Sequence, residues 1–184
     1  MNYWFVHDVL TEKKRKSLVS FIKKNNDGWE DKTNGAVDNL GNTLKYSDTY
    51  KIRFDKIKPF LGDIPSIIKH INLEQFGYDC DKLDTDFVIM NTYRGHPTEG
   101  HYYGWHTDGS RSPTFDTKIS VLINLSKSYE GGDLYIFQGN EHRVSELKPR
   151  SMVMLKSFVP HRVARVTKGE RITLTLFLNG PKFR

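Results

Sequence analysis

Cysteine is almost absent from this 184-residue chain. Cys80 stands alone, so no intrachain disulfide can form, and a reducing compartment is expected. Long apolar runs are also lacking, and none approaches the ~20 residues of a membrane-spanning helix. The opening MNYWFVHDVL places a short apolar stretch ahead of the basic TEKKRK, the reverse of a secretory leader. Together these lacks lead to the expectation of a cytoplasmic protein with no membrane contact. Internal repeats, low-complexity tracts and linker-like segments are missing as well. The chain is therefore expected to form a single domain over 1–184, a length that can bury one proper core.

A strong charge bias is missing too. The net charge of +6 comes from 28 Lys and Arg against 22 Asp and Glu, and suggests an anionic partner of some kind. The basic residues are scattered, however, and the densest group, Lys13, Lys14, Arg15 and Lys16, fits the solvated face of a first helix. Charge alone does not make a nucleic-acid protein.

What is present divides the chain into two textures. Up to about residue 82 the pattern reads as helical support with a long loop. Thr11 can cap a helix to about Asn25, with Leu18, Val19, Phe21 and Ile22 as its apolar stripe. A second helix is expected from about Pro65 to Phe76, with Gly77 just past its end. Residues 31–50, rich in Asn, Gly, Thr and Asp, read as a loop, and 34–50 as a lid. From 83 to 184 the chain turns to short β runs, among them DFVIMNTY, HYYGWHTD, TKISVLINL, DLYIF and RITLTLFL, punctuated by glycine and proline. Seven or eight strands in about 100 residues suggest a sandwich or jelly roll. The expected fold class is mainly β with supporting helices, a double-stranded β-helix.

Chemistry-bearing residues fall inside this β region. His106 and Asp108 in GWHTDGS sit at i, i+2, so a strand points both to one face. His161 opens the run HRVARV 55 positions later. Two imidazoles and one carboxylate on one side of a metal leave three adjacent positions open, the facial arrangement of non-haem Fe(II) oxygenases. Arg171 follows His161 by ten positions, in GERITLTLF. Alternation puts Arg171, Thr173, Thr175 and Phe177 on one face and Ile172, Leu174, Leu176 and Leu178 on the other. An arginine aimed into a β core needs a buried anion, and a carboxylate matches its fork. Each feature alone has a plain structural explanation. Their combination points to metal-dependent oxygenation.

These residues carry a resemblance. From about Phe87 to Phe183 the chain resembles the prolyl 4-hydroxylase-like branch of the 2-oxoglutarate and Fe(II)-dependent oxygenases, above all its bacterial and tailed-phage members. The matching positions are Asn91-x-Tyr93, Tyr103, His106-x-Asp108, Asn124-Leu125, Glu130-Gly131-Gly132-x-Leu134, His161-Arg162-Val163, Val166-Thr167, Gly169 and Arg171. The resemblance implies Fe(II) on His106, Asp108 and His161, and the distal carboxylate of 2-oxoglutarate on Arg171. It also implies Tyr93 in the co-substrate pocket, O2 as oxidant, succinate and CO2 as products, and ascorbate as a rescuing reductant. Some relatives place a tyrosine two positions before the Asn124 equivalent; here Leu122 stands there, which leaves Thr173 or Tyr93 as the second donor to the carboxylate. The implied reaction is hydroxylation of a C–H bond, with a prolyl residue in a peptide or protein as the substrate, and the aromatic run Tyr102, Tyr103 and Trp105 reads as a groove that suits an extended peptide. Alternatives are the same chemistry on a free amino acid or other small molecule, a nucleic-acid demethylase, and a non-catalytic jelly-roll binding module. The demethylase is disfavoured because Phe177 occupies the position of its usual second arginine. The binding module has no need of His106, Asp108, His161 and Arg171 together.

Overall fold

Alternation and capping set the local structure. Thr11 caps α1 (Glu12–Asn25) by accepting from the Lys14 amide, and Leu18 and Ile22 form its fully buried face. The computed structural model describes residues 1–30, 37, 40–80, 87–109 and 112–183. Two further helices follow, α2 (Phe54–Leu61) and α3 (Ile64–Ile71), and α3 runs on into a π-helical turn at Asn72–Phe76. Gly77, in left-handed geometry, ends that turn by donating its amide to the Asn72 carbonyl. The second expected helix therefore stands. α2 was not expected; Pro59 lies inside it, and burial of Ile57 and Leu61 outweighs the lost backbone bond.

Thirteen strands among the described residues build two antiparallel sheets. They are β1 (Tyr3–Val6), β2 (Gly28–Glu30), β3 (Lys45–Tyr46), β4 (Asp48–Arg53), β5 (Phe87–Arg94), β6 (Tyr102–His106) and β7 (Phe115–Asn124). After these come β8 (Tyr129–Gly131), β9 (Leu134–Phe137), β10 (Glu141–Arg143), β11 (Met152–Lys156), β12 (His161–Val163) and β13 (Val166–Pro181). The larger sheet runs β1-β11-β7-β13-β5-β4-β2, with β8 paired to the start of β13. The smaller runs β10-β9-β12-β6-β3. The two sheets enclose an inner apolar cluster that includes Tyr93, Leu122 and Val153 from one and Leu134, Ile136 and Val163 from the other. This is the jelly roll that the strand count suggests.

The helices cover the outer face of the larger sheet. Leu18, Ile22, Ile57, Leu61, Ile64 and Ile68 pack with Ile172, Leu174, Leu176 and Leu178, the outward row of β13. One face of β13 thus belongs to the helical core, which frees the other for the interior between the sheets.

The expected loop at 31–50 and lid at 34–50 need correction at their C-terminal end. β3 pairs with β6, β4 pairs with β5, and Ser47, Asp48 and Thr49 are buried. Polar composition misleads here, because the strands are held by neighbours, Ser47 and Thr49 by hydrogen bonds and Asp48 by its ion pair with Arg94. Residues 31–36 and 38–39 of that segment lie outside the described residues. The division at residue 82 is also too sharp: β1, β2 and β4 join the larger sheet, and β3 joins the smaller.

The turn between β5 and β6 lies flush against the start of β13. His96 donates to the Val166 carbonyl at 3.2 Å and Val166 donates to His101 at 2.9 Å. A β-carbon on Gly100 would lie 1.7 Å from the Val166 oxygen, so backbone must move to accept it. Gly100→Ala is expected to lower stability by about 1–3 kcal/mol. Urea unfolding measures this; an unchanged midpoint would show that the contact yields freely.

Candidate metal centre

His106 ends β6 and His161 begins β12, and these two residues face one another across the antiparallel pair. Asp108 follows two residues after His106 and is tied by its amide to the Ser157 carbonyl at 2.9 Å. One potential ligand atom from each of the three lies within 4.8 Å of the others, close enough for a single ion. His106 Nε2 is 3.6 Å from Asp108 Oδ1, and His161 Nε2 is 3.3 Å from Asp108 Oδ2.

The imidazoles are oriented from behind. His106 Nδ1 lies 2.8 Å from the Gly104 carbonyl, and His161 Nδ1 lies 2.9 Å from the Val159 carbonyl. A carbonyl only accepts, so each Nδ1 carries the proton and each Nε2 is turned toward the carboxylate. Tyr103 stacks on the His106 ring at 3.5 Å, nearly parallel. Ser120, inward on β7, donates to Asp108 Oδ2 at 2.7 Å and fixes the carboxylate from the opposite sheet. The sequence reading missed Ser120, although the alternation of TKISVLINL places it on the same face as Leu122 and Asn124.

Electrostatics suit a cation at this point. Burial, followed by the neighbouring His161, pulls His106 down to about 4, so it is neutral at physiological pH. Burial pushes Asp108 up, but its hydrogen bond from His161, the charges of both histidines and the Ser120 bond outweigh this and hold it at about 2. Burial likewise pulls His161 down, and the hydrogen bond and charge of Asp108 reverse this, leaving it above the ordinary imidazole range. A carboxylate beside an Nε2 proton is a place where a divalent ion can replace that proton. Ser120→Ala is expected to weaken Mn(II) binding about tenfold by freeing the Asp108 carboxylate. Isothermal titration calorimetry reads this, and an unchanged affinity would deny Ser120 a positioning role.

A cavity of about 100 Å³ opens beside these three side chains. It is lined by Tyr93, Leu122, Arg171, Thr173, Thr175 and Phe177 from the larger sheet, and by Tyr103, Leu134 and Val163 from the smaller. The face of β13 expected to point inward therefore does so. Arg171 is 1% exposed, and among the described residues no carboxylate pairs with it. Its Nη1 donates to Thr173 Oγ1 at 2.7 Å, while its Nε has no hydrogen-bond partner among the described residues. A buried guanidinium in this state is costly unless an anion joins it. Gly132, at φ +64, makes room for its stem: a β-carbon there would lie 3.0 Å from Arg171 Cδ.

Around the arginine, Tyr93 is buried with its ring 5.4 Å from the guanidinium carbon, and burial drives its phenol well above the ordinary range. Thr173, having accepted from Arg171, keeps its own hydroxyl proton to donate. Leu122 lines the same cavity and offers no donor. The donor set fits a metal ion on His106, Asp108 and His161 with a carboxylate on Arg171.

The three aromatics expected to form one groove are split. Tyr103 lines the cavity, and burial pushes its phenol up to about 12. Tyr102 instead donates to the Thr43 carbonyl at 3.0 Å and carries Arg165 on its ring. Trp105 is 40% exposed and packs edge-on against Phe137, with Arg162 over its face. The reason is local. β6 pairs His106 with His161 but Tyr103 with Val163, and this irregularity separates the cavity-facing residues from their neighbours.

Comparison with known proteins places these observations in a family. The sequence profile of the 2OG-Fe(II) oxygenase superfamily matches residues 88–179. A PKHD-type hydroxylase of Parvibaculum lavamentivorans is 36% identical over 46% of this chain and 37% of its own length. One from Prochlorococcus marinus is 25% identical over 91% of this chain and 74% of its own. The chain thus spans well under half the length of the first of these relatives. Among solved structures, a Pseudomonas putida prolyl-4-hydroxylase shares the fold with a TM-score of 0.68 and 18% identity, over 98% of this chain and 94% of that one. A prolyl hydroxylase from Trichoplax adhaerens, in complex with a hypoxia inducible factor oxygen degradation domain peptide, gives a TM-score of 0.70 at 14% identity, over 96% and 83%.

Proposed function

The chain belongs to the 2OG-Fe(II) oxygenase superfamily, and on that premise we propose that it is a dioxygenase that hydroxylates a C–H bond, with a prolyl residue of a peptide or protein as its substrate. The observation that carries this reading is the buried Arg171, which pairs with no carboxylate among the described residues, in the same cavity as His106, Asp108 and His161. His106, Asp108 and His161 would hold Fe(II), and Arg171 with Thr173 and Tyr93 would hold the far carboxylate of 2-oxoglutarate. Fe(II), when bound with that acid and O2, supplies the oxidising power that yields succinate, CO2 and the hydroxylated product.

The protein's own work is orientation and exclusion of water. The Gly104 and Val159 carbonyls keep each Nε2 forward, and Ser120 restrains Asp108. Arg171 fixes the direction in which the diacid lies, and Leu122, Leu134 and Val163 keep its methylenes dry. Tyr103, stacked beside His106, is the ring best placed to meet a proline. The peptide reading is favoured by the prolyl hydroxylases among the fold's neighbours, one of them holding a peptide. A free amino acid or small molecule is the second reading, and the small cavity favours it. We also propose a single oxygenase domain working in the cytoplasm, with ascorbate restoring iron oxidised in idle turnovers. Among the described residues no helix is long and apolar enough to cross a membrane.

The test is turnover with Fe(II), 2-oxoglutarate and O2 against a library of proline-containing peptides and free amino acids. Succinate formation is followed together with a mass gain of one oxygen in the substrate. Stimulation by a peptide supports the prolyl reading. Stimulation by a free small molecule alone replaces it with the second.

A further inference from the structure

The cavity wall holds a second buried cation that the family resemblance did not single out. Lys45, on β3, is 7% exposed and lines the cavity together with the three candidate ligands. Its ammonium donates to Asn91 Oδ1 at 2.7 Å and to Thr49 Oγ1 at 3.2 Å. It also lies 5.2 Å from the Tyr103 ring centre, and Tyr103 in turn stacks on His106.

Strand register ties the two cations to neighbouring positions of one cavity wall. Arg171 pairs with Tyr93, and Thr173 pairs with Asn91, the residue that anchors Lys45. Tyr93 and Asn91 are one pleat repeat apart, about 6.8 Å along β5. Lys45 is the register partner of Tyr103 across the β3–β6 ladder, beside the candidate ligands.

We infer that Lys45 is a second carboxylate-binding residue, holding the metal-side carboxylate of the 2-oxo acid while Arg171 holds the far one. This rests on the 2-oxoglutarate reading above and adds a residue to it. Lysine suits the position because a point charge on a flexible stem can follow a carboxylate whose angle is set by a metal. Asn91 and Thr49 hold the ammonium in place, so little freedom is lost when the acid arrives. The pocket would then recognise both ends of its acid, and selectivity for dicarboxylates would be divided between two residues.

Truncated acids separate the two ends. Binding of 2-oxoglutarate, 2-oxopentanoate (no far carboxylate) and 4-oxopentanoate (no metal-side carboxylate) is measured by calorimetry on the Mn(II)-loaded protein, without O2. Lys45→Met is expected to weaken 2-oxoglutarate and 2-oxopentanoate about tenfold, the loss of one charge-assisted contact, and to leave 4-oxopentanoate unchanged. Arg171→Ala should show the complementary pattern, weakening 2-oxoglutarate and 4-oxopentanoate while sparing 2-oxopentanoate. Lys45→Arg should recover part of the loss. Retained 4-oxopentanoate binding in Lys45→Met also reports that the pocket is intact. Unchanged affinity of Lys45→Met for all three acids, or an equal loss for all three, overturns the assignment. Failure of the unaltered protein to bind any 2-oxo acid would instead overturn the co-substrate reading itself.

Discussion

Alanine at His106 or at Asp108 is expected to abolish 2-oxoglutarate turnover and to leave the fold intact. Two ligands cannot hold an ion in the geometry that three converging donors provide, and the missing donor also changes which positions stay open. Asp108 has the larger role of the two. Its oxygens face both imidazoles and accept from Ser120, so its loss removes the one carboxylate that the described residues bring to the cluster. The fold should survive because neither side chain belongs to the helical core or to the apolar cluster between the sheets. Succinate production and 2-oxoglutarate consumption measure the first part, and far-ultraviolet circular dichroism with a thermal melt measures the second. Near-normal turnover in either variant would mean that the metal is held elsewhere.

The second large effect is at Arg171. Replacement by alanine should weaken 2-oxoglutarate binding about 10- to 100-fold, from the loss of roughly 1.5–3 kcal/mol of charge-assisted hydrogen bonding. Lysine should recover only part of this, since it offers one point charge in place of a planar fork. Stability should move the other way or not at all. The guanidinium is buried with Nε unpaired, so its removal relieves a desolvation cost in the ligand-free protein. Binding titrations and melts on the same two variants check both directions. An unchanged affinity in Arg171→Ala would place the carboxylate on another residue.

Much of the site was legible in the sequence, for reasons that can be named. The period-2 pattern of RITLTLFL assigns each side chain of β13 to a face, and both faces are as expected, one helical and one cavity. The spacing of His106 and Asp108 needs only the end of a strand. Thr11 and Gly77 mark helix ends through backbone bonds that their side chains or conformations permit.

The rest depended on partners far away in the chain. Tyr3–Val6 is a strand because it pairs with Met152–Leu155, which no local pattern foretells. Lys45–Tyr46 and Asp48–Arg53 look like loop by composition, and only their pairing with β6 and β5 makes them strands. Lys45 was therefore invisible as a cavity residue, since its position depends on that pairing. Leu122 could be named as a departure from some relatives, but its place in the cavity wall required the sheets to be assembled.

The place of β13 in the larger sheet also bears on how the protein reaches its native state. β5 and β7 precede it in the chain, yet it lies between them and bonds to both. Until β13 inserts, each of those strands has an unsatisfied edge, and the arginine that the cavity needs has not arrived. Folding should accordingly be slow and dominated by long-range closure, with partly folded chains that offer open strand edges to one another. Refolding yield should fall as protein concentration rises, and recovery of 2-oxoglutarate binding should coincide with the last kinetic phase.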